Sequence, residues 1–183
     1  QTALCEVLTA IYEQDFLRCS YGYRPNKGAL DAVDKLTVKL QFGKYNFVVE
    51  ADIQGFFDNL DQNQLVEMLS RRIGDRQLMR LIQKWLKAGV SEDGEWSPTT
   101  VGTPQGAVIS PLYANVFLHY VFDLWINDWR KREARGEATV IRYADDFVIG
   151  FREESDARRC LAALKERFAK FGLVLHPDKT RLI

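Results

Sequence analysis

The stretch VIRYADDFVIG, residues 140–150, sets two adjacent aspartates, Asp145 and Asp146, in the middle of an apolar run. Runs of this length and composition form buried strands. Adjacent residues on a strand point to opposite faces, so both carboxylates reach one ligand only if they sit at a turn. The stretch therefore reads as a hairpin: ATVIRY, a turn at the aspartates flanked by Tyr143 and Phe147, then FVIGF. These residues alone leave two readings open. One is a solvated surface turn, since Asp is a common turn residue. The other is a pair of carboxylates displayed for a shared ligand.

The stretch YNFVVEADI (residues 45–53) bears on that choice. It alternates, with Phe47, Val49, Ala51 and Ile53 on one face and Val48, Glu50 and Asp52 on the other, which is a strand ending near Asp52. Carboxylates at several strand ends of one sheet repel unless a cation sits among them. Mg²⁺ suits such a place, because it takes hard oxygen ligands from few protein carboxylates and completes its shell with water and substrate phosphate. Two such ions about 3.5–4 Å apart would clamp the attacking and leaving oxygens of an in-line phosphoryl transfer. Spacing does not bring Asp52 to Asp145; it makes their meeting chemically coherent.

The remaining segments supply helices. Leu4, Val7, Leu8, Ile11 and Tyr12 form one helical stripe. After the loop YGYRPNKG, a helix carries Ala29, Ala32, Val33, Leu36 and Leu40 inward and stops at Gly43. Asp61 and Gln64 form a capping box, with Leu60 and Leu65 as its staple, for a helix that Gly74 ends. Asp75 caps the next, whose stripe is Leu78, Leu81, Ile82, Trp85 and Leu86. Asp93-Gly94 suits the turn of a hairpin over residues 90–101. Ser110 as N-cap and Pro111 at the first helical position open a helix that is apolar on most sides, hence central and buried. Ser155 begins a last helix, which Gly172 stops, and LVLHPDKTRLI reads as two short strands around a Pro-Asp turn. Strands arriving as hairpins rather than in βα alternation make the class α+β, an antiparallel sheet packed on helices.

The bulk properties are those of one soluble domain: 183 residues, 46% apolar, 27% charged. No apolar run is long enough to span a bilayer, and the first residues form no signal peptide, which suggests a cytoplasmic protein without a membrane partner. Cys5, Cys19 and Cys160 are unevenly spaced and read as free thiols in a reducing compartment. His119 and His176, the only histidines, argue against a histidine zinc site or a Ser-His-Asp triad. A net charge of zero weighs against a simple nucleic-acid-binding module unless basic parts lie elsewhere in a longer protein. A chain that opens inside a helix without methionine reads as a fragment or a processed form.

VVEADIQGFFDNLD, GTPQGAVISPLYANVFLHYVFD, IRYADDFVIGF and FGLVLHPDKTRLI together resemble the ordered motifs of reverse transcriptases. CSYGYRPNKGALDAV, just upstream, resembles the motif preceding them in group II intron-encoded reverse transcriptases/maturases and their bacterial relatives. Each motif alone is weak; their order over nearly the whole chain is specific. The resemblance implies a right-hand polymerase palm with part of the fingers: residues 1–45 as partial helical fingers, 46–183 as palm, the thumb absent. It implies RNA-directed DNA synthesis with two Mg²⁺ ions, for which Mn²⁺ substitutes, on an RNA template and a DNA or RNA primer with dNTPs. Group II intron RNA and the missing fingers and thumb segments are further implied partners.

Carried over by position, Asp52, Asp145 and Asp146 match the catalytic aspartates, and Ile53 would lend a backbone carbonyl to a metal. Phe57 falls where an aromatic gate lies under the sugar and excludes a 2′-hydroxyl. Gln105 matches the glutamine beside the nucleotide, and Lys179 a lysine proposed to protonate the leaving pyrophosphate. Arg24, Pro104, Gly106 and Tyr143 fall among template and primer positions, though Arg24 suits a structural hydrogen bond equally. Ala107 stands where many relatives have a second glycine. Arg71-Arg72 and the RKR at residues 130–132 read as helix-end charges, a template track being the alternative. Two rival functions remain: a maturase-type RNA-binding role in intron splicing, and a palm-type nucleotide cyclase, which should lack the TPQG and SPLYAN sequences present here.

Overall fold

The alternation before Asp52 folds as a strand. The computed structural model describes residues 1–88, 90–92, 95–97, 102 and 107–183, with 90–92 and 95–97 described by their backbone alone. In it Phe47–Ala51 is β1, with Val49 and Ala51 buried and Glu50 exposed. The aspartate hairpin is β4 (Ala138–Tyr143) and β5 (Asp146–Phe151), paired from Ala138↔Phe151 to Tyr143↔Asp146. The other edge of β5 pairs antiparallel with β1, from Phe47↔Phe151 to Ala51↔Phe147. A two-residue strand, β6 (Arg181–Leu182), adds to β1 and completes the order β4-β5-β1-β6.

One face of this sheet is packed. Helix α8 (Glu154–Ala169) contributes Ala157, Cys160, Leu164 and Phe168 to the core beneath it. The apolar segment after Ser110 runs through the centre as α6 (Ser110–Leu118), a π-turn (His119–Asp123) and α7 (Leu124–Arg132). Every residue of α6 except Pro111 is buried, as an all-round apolar helix requires. Phe122, on the π-turn, stacks at 4.4 Å between ring centres on Phe147 of β5, locking rod to sheet. Around this centre lie α1 (Thr2–Tyr12), the single turn α3 (Phe56–Asn59), α4 (Gln62–Ser70) and α5 (Arg76–Leu86). β2 (Val90–Glu92) and β3 (Glu95–Ser97) pair as the expected hairpin, while Asp93-Gly94 lies outside the described residues.

Several details differ from the sequence reading. Helix α2 (Ala29–Phe42) touches the body through Ala32 and Leu36, which cluster with Tyr21 and Ile141 against β4, whereas Val33 is 56% and Leu40 38% exposed. Its apolar residues are spread over more than one face, and the sheet takes only the Ala32–Leu36 line. Val7 and Leu81 are likewise exposed. Ile109, not Ser110, is the cap of α6, although Pro111 keeps its place in the first turn. The last helix begins at Glu154 rather than Ser155. The capping box at Asp61 is half made: its carboxylate accepts from the Asn63 and Gln64 amides at 2.8 and 2.9 Å, while Gln64 Oε1 is buried without a hydrogen bond. The chain end forms no hairpin with itself. Leu175 bridges Ile53 and β6 pairs with β1, so both arms lie along the strand that carries Asp52. Among the described residues no helix is long and apolar enough to cross a membrane.

Asp61→Ala removes the acceptor for two first-turn amides of α4, and an N-cap of this kind is worth about 1 kcal/mol. Urea unfolding is expected to show a loss of that size with an unchanged slope.

Candidate active site

The ladder between β1 and β5 decides where the carboxylates meet. Carrying its register one residue past Ala51↔Phe147 sets Asp52 opposite Asp146. Asp145 is in the two-residue loop between β4 and β5, next to Ala144, whose φ is +54°. A residue with a Cβ in the left-handed region costs roughly 1–2 kcal/mol, so something holds this loop.

Arg142 provides that hold. It lies in the apolar strand, fully buried, and forms a twofold pair with the equally buried Asp123: Nε to Oδ1 at 2.7 Å and Nη2 to Oδ2 at 2.6 Å. The remaining guanidinium hydrogens go to Ser20 Oγ (2.8 Å), Asn115 Oδ1 (3.0 Å) and the Ala144 carbonyl (2.8 Å). All five N–H donors of the group are thereby used. Asn115 in turn donates from Nδ2 to the Gly22 carbonyl at 2.7 Å. A Cβ on Gly22 would run into the Ala144 amide nitrogen, so only glycine lets this segment back the loop.

A second clamp comes from the chain end. The Asp52 carbonyl accepts from the His176 amide at 2.8 Å, and the Gln54 amide donates to the Val174 carbonyl at 2.9 Å. In a bridge of this kind the carbonyl of Ile53 points away from Leu175, toward the hairpin side. The chain then loops outward through Pro177 and returns as β6, and the loop carries Lys179, whose Nζ donates to Asp52 Oδ2 at 2.7 Å. Lys179 is 62% exposed and Asp52 only 12%, so the ammonium covers the carboxylate from the solvent side.

These groups open onto a cavity of about 810 Å³ whose walls include Asp52, Ile53, Phe57, Ala107, Asp145, Asp146, His176 and Lys179. Phe57 is half-buried on its wall, edge-on to the buried Phe56 at 5.5 Å. Burial and the negative charge of Asp52 push the Asp145 carboxyl above its ordinary range. Burial, then Asp52 and Asp145, do the same for Asp146. The hydrogen bond and charge of Asp52 raise the Lys179 ammonium above its ordinary value. The site is thus over-supplied with negative charge, and Lys179 is the cation that answers it. Among the described residues no three His, Cys, Asp or Glu side chains are gathered to ligate an ion as they stand.

The sequence-assigned residues divide as follows. Asp52, Ile53, Phe57, Asp145, Asp146 and Lys179 line one cavity. Tyr143 stands partly exposed at the hairpin mouth, paired with Asp146. Pro104, Gln105 and Gly106 lie outside the described residues. Arg24 is not free for a template: it pairs through Nε and Nη2 with Glu13, donates through Nη1 to the Leu17 and Ser20 carbonyls, and lies over the Phe16 ring at 5.2 Å. Its structural alternative is the one realised. The basic clusters are similarly engaged, Arg71 with Glu67, Arg72 with Asp15 and Arg132 with Asp128. Sequence reasoning missed Arg142, Asp123, Asn115, Gly22 and His176. The signal for the first two was a lone arginine in an apolar strand and a lone aspartate in an apolar helix.

An antiparallel sheet on helices, with carboxylates at the ends of two neighbouring strands under an open cavity, is the arrangement of a polymerase palm. The chain belongs to the reverse transcriptase (RNA-dependent DNA polymerase) family, whose model matches residues 1–183. It is 41% identical over 119 residues to the group II intron-encoded protein LtrA of Lactococcus lactis subsp. cremoris, a match covering 65% of this chain and 20% of that protein. Protein YkfC of Escherichia coli (strain K12) is 31% identical over 218 aligned positions, covering 100% of this chain and 56% of YkfC. The chain thus spans between a fifth and little more than half of these relatives. Among solved structures, apo telomerase from Candida tropicalis superposes with a TM-score of 0.73 at 13% identity, over 100% of this chain and 36% of that one. At that identity the likeness is one of fold.

The raised carboxyls make stability depend on pH in a definite sense. A folded pKa above the unfolded one favours the neutral form; that contribution is fully present below the ordinary value of 3.8 and is lost as pH rises through the raised value. Asp145→Asn is neutral at every pH. In chelator it is expected to melt above the parent at neutral pH, the difference closing below about pH 4. Thermal melts across that range check both arms.

Proposed function

We propose that the protein containing this chain is an RNA-directed DNA polymerase, joining a dNTP to a primer 3′-hydroxyl on an RNA template with release of pyrophosphate. The observation that carries this reading is the meeting of Asp52, Asp145 and Asp146 on one cavity wall, in a chain of the reverse transcriptase family. Residues 1–45 serve as part of the fingers and 46–183 as the palm.

The donor set suits hard divalent cations: carboxylate oxygens in excess of local positive charge, and a backbone carbonyl, that of Ile53, on the same wall. Asp52, Asp145 and the Ile53 carbonyl would hold two Mg²⁺ ions, or Mn²⁺ in their place, with Asp146 assisting. Bound there, the ions supply charge stabilisation for the attacking and leaving oxygens. The chain's own part is positioning. The β1–β5 ladder fixes the carboxylates relative to one another. Phe57 on the cavity wall would meet a 2′-hydroxyl and so favour deoxynucleotides. Lys179 would leave Asp52 when a cation takes that carboxylate, and it then has a proton to give to the departing pyrophosphate. Gln105 and Gly106 would contact nucleotide and template. The names of the relatives, one of them group II intron-encoded, support intron RNA as a partner and splicing assistance as a second role.

Asp52→Asn or Asp145→Asn in the intact protein is expected to abolish primer extension, by about a thousandfold or more, with the fold retained by circular dichroism. Near-parental extension by either variant would refute the proposal. Phe57→Val is expected to raise ribonucleotide incorporation by at least about tenfold while leaving dNTP turnover within a fewfold, read from single-turnover incorporation.

A further inference from the structure

We propose that Arg142 is a positioning residue for nucleotidyl transfer, acting through the Ala144 carbonyl to aim Asp145; this rests on the polymerase reading above. A buried ion pair by itself is weak ground for a functional role, because structural pairs are common in cores. Here the geometry goes further. One branch of the guanidinium, Nη1, bonds both the Ala144 carbonyl and Asn115 Oδ1. The Ala144 carbonyl belongs to the peptide that leads into Asp145, so this bond fixes the plane from which the carboxylate departs. Asn115 ties the same branch to Gly22, whose bare Cα closes over the Ala144 nitrogen. The loop is thus gripped at its carbonyl by Arg142 and at its amide by Gly22, with Asn115 joining the two grips. The other branch and Nε anchor to Asp123 and Ser20 in the interior. The guanidinium's planar fork spans from the core to the loop in a way an ammonium does not.

The positive charge of Arg142 also faces the site. It lowers the Asp145 carboxyl, opposing the burial and the Asp52 repulsion that raise it. Arg142 therefore acts on Asp145 in two ways, by fixing its backbone and by offsetting its charge, without touching substrate.

The test separates positioning from mere stability, using the intact protein. Arg142→Lys keeps the charge and loses the fork. It is expected to lower kcat about a hundredfold, the scale of a misplaced reacting group, with KM for dNTP and primer-template affinity within about threefold. Mn²⁺ affinity, measured without nucleic acid from the electron paramagnetic resonance of free Mn²⁺, should weaken at least about fivefold, because the metal carboxylate is no longer held. A kcat within about twofold of the parent would overturn the proposal. Should Arg142→Lys fold poorly, the double substitution R142M/D123L replaces the buried pair by apolar groups of similar volume, a change that often preserves stability. If melting temperature and kcat both return to parental values in that variant, Arg142 is structural only and the proposal fails. If melting temperature returns while kcat and Mn²⁺ affinity stay low, it stands. Loss of extension in Asp145→Asn is a separate outcome; if that variant extends primers normally, the polymerase reading falls first.

Discussion

Carboxylates gathered at the ends of adjacent strands repel one another, and the surroundings of this site are arranged against that repulsion. The backbone ladder between β1 and β5 leaves Asp52 and Asp146 little freedom to separate. The ladder is secured by what lies beneath it: Val49, Ala51, Phe147 and Ile149 are buried in the main core against α8 and the central rod. At about 25 cal/mol per Å² of apolar surface removed from water, burial of such side chains is the force that keeps like charges in company. The ion pair from Lys179 relieves the repulsion only in part, since its ammonium is largely solvated and solvent screens it.

The two clamps on the site come from opposite sides and differ in kind. Beneath the hairpin, the Arg142–Asp123 pair is fully buried and completely bonded, an arrangement with no slack, since either partner left alone would be an uncompensated charge in the core. Above β1, the loop bearing Lys179 is exposed and anchored at its two feet by backbone bonds near Asp52 and at β6. A rigid floor and a movable cover are what a site needs if its carboxylates must stay fixed while cations and nucleotides come and go.

Much of this was legible in the sequence, for identifiable reasons. Period-two alternation in residues 45–53 showed which face Asp52 shares, and two adjacent aspartates between apolar runs showed a turn. Both are local signals. Resemblance to ordered motifs brought Asp52 and Asp145 together, which no local signal does. What stayed hidden were long-range pairings. An arginine in a strand and an aspartate in a helix reveal neither that they are buried nor that they are partners until the fold brings them side by side. The arms around Pro177 looked like a hairpin because each pairs well; that they pair with β1 instead depends on where α8 releases the chain. Helix α2 misled because apolar residues on several faces do not say which face is covered.

The widened turn at residues 119–123 sets the phase of the central rod. In an uninterrupted α-helix of 3.6 residues per turn, positions 115 and 123 would point about 80° apart. The π-turn between them, with its i→i+5 bonding, absorbs most of that angle, so Asn115 and Asp123 both come to bear on a single guanidinium. The extra residue has the character of an insertion kept for its rotation rather than its length. Removing any one residue between those positions would swing everything beyond it by about a quarter turn, carrying Phe122 off the sheet and Asp123 off its arginine together. Spacing in that stretch is therefore constrained more tightly than composition.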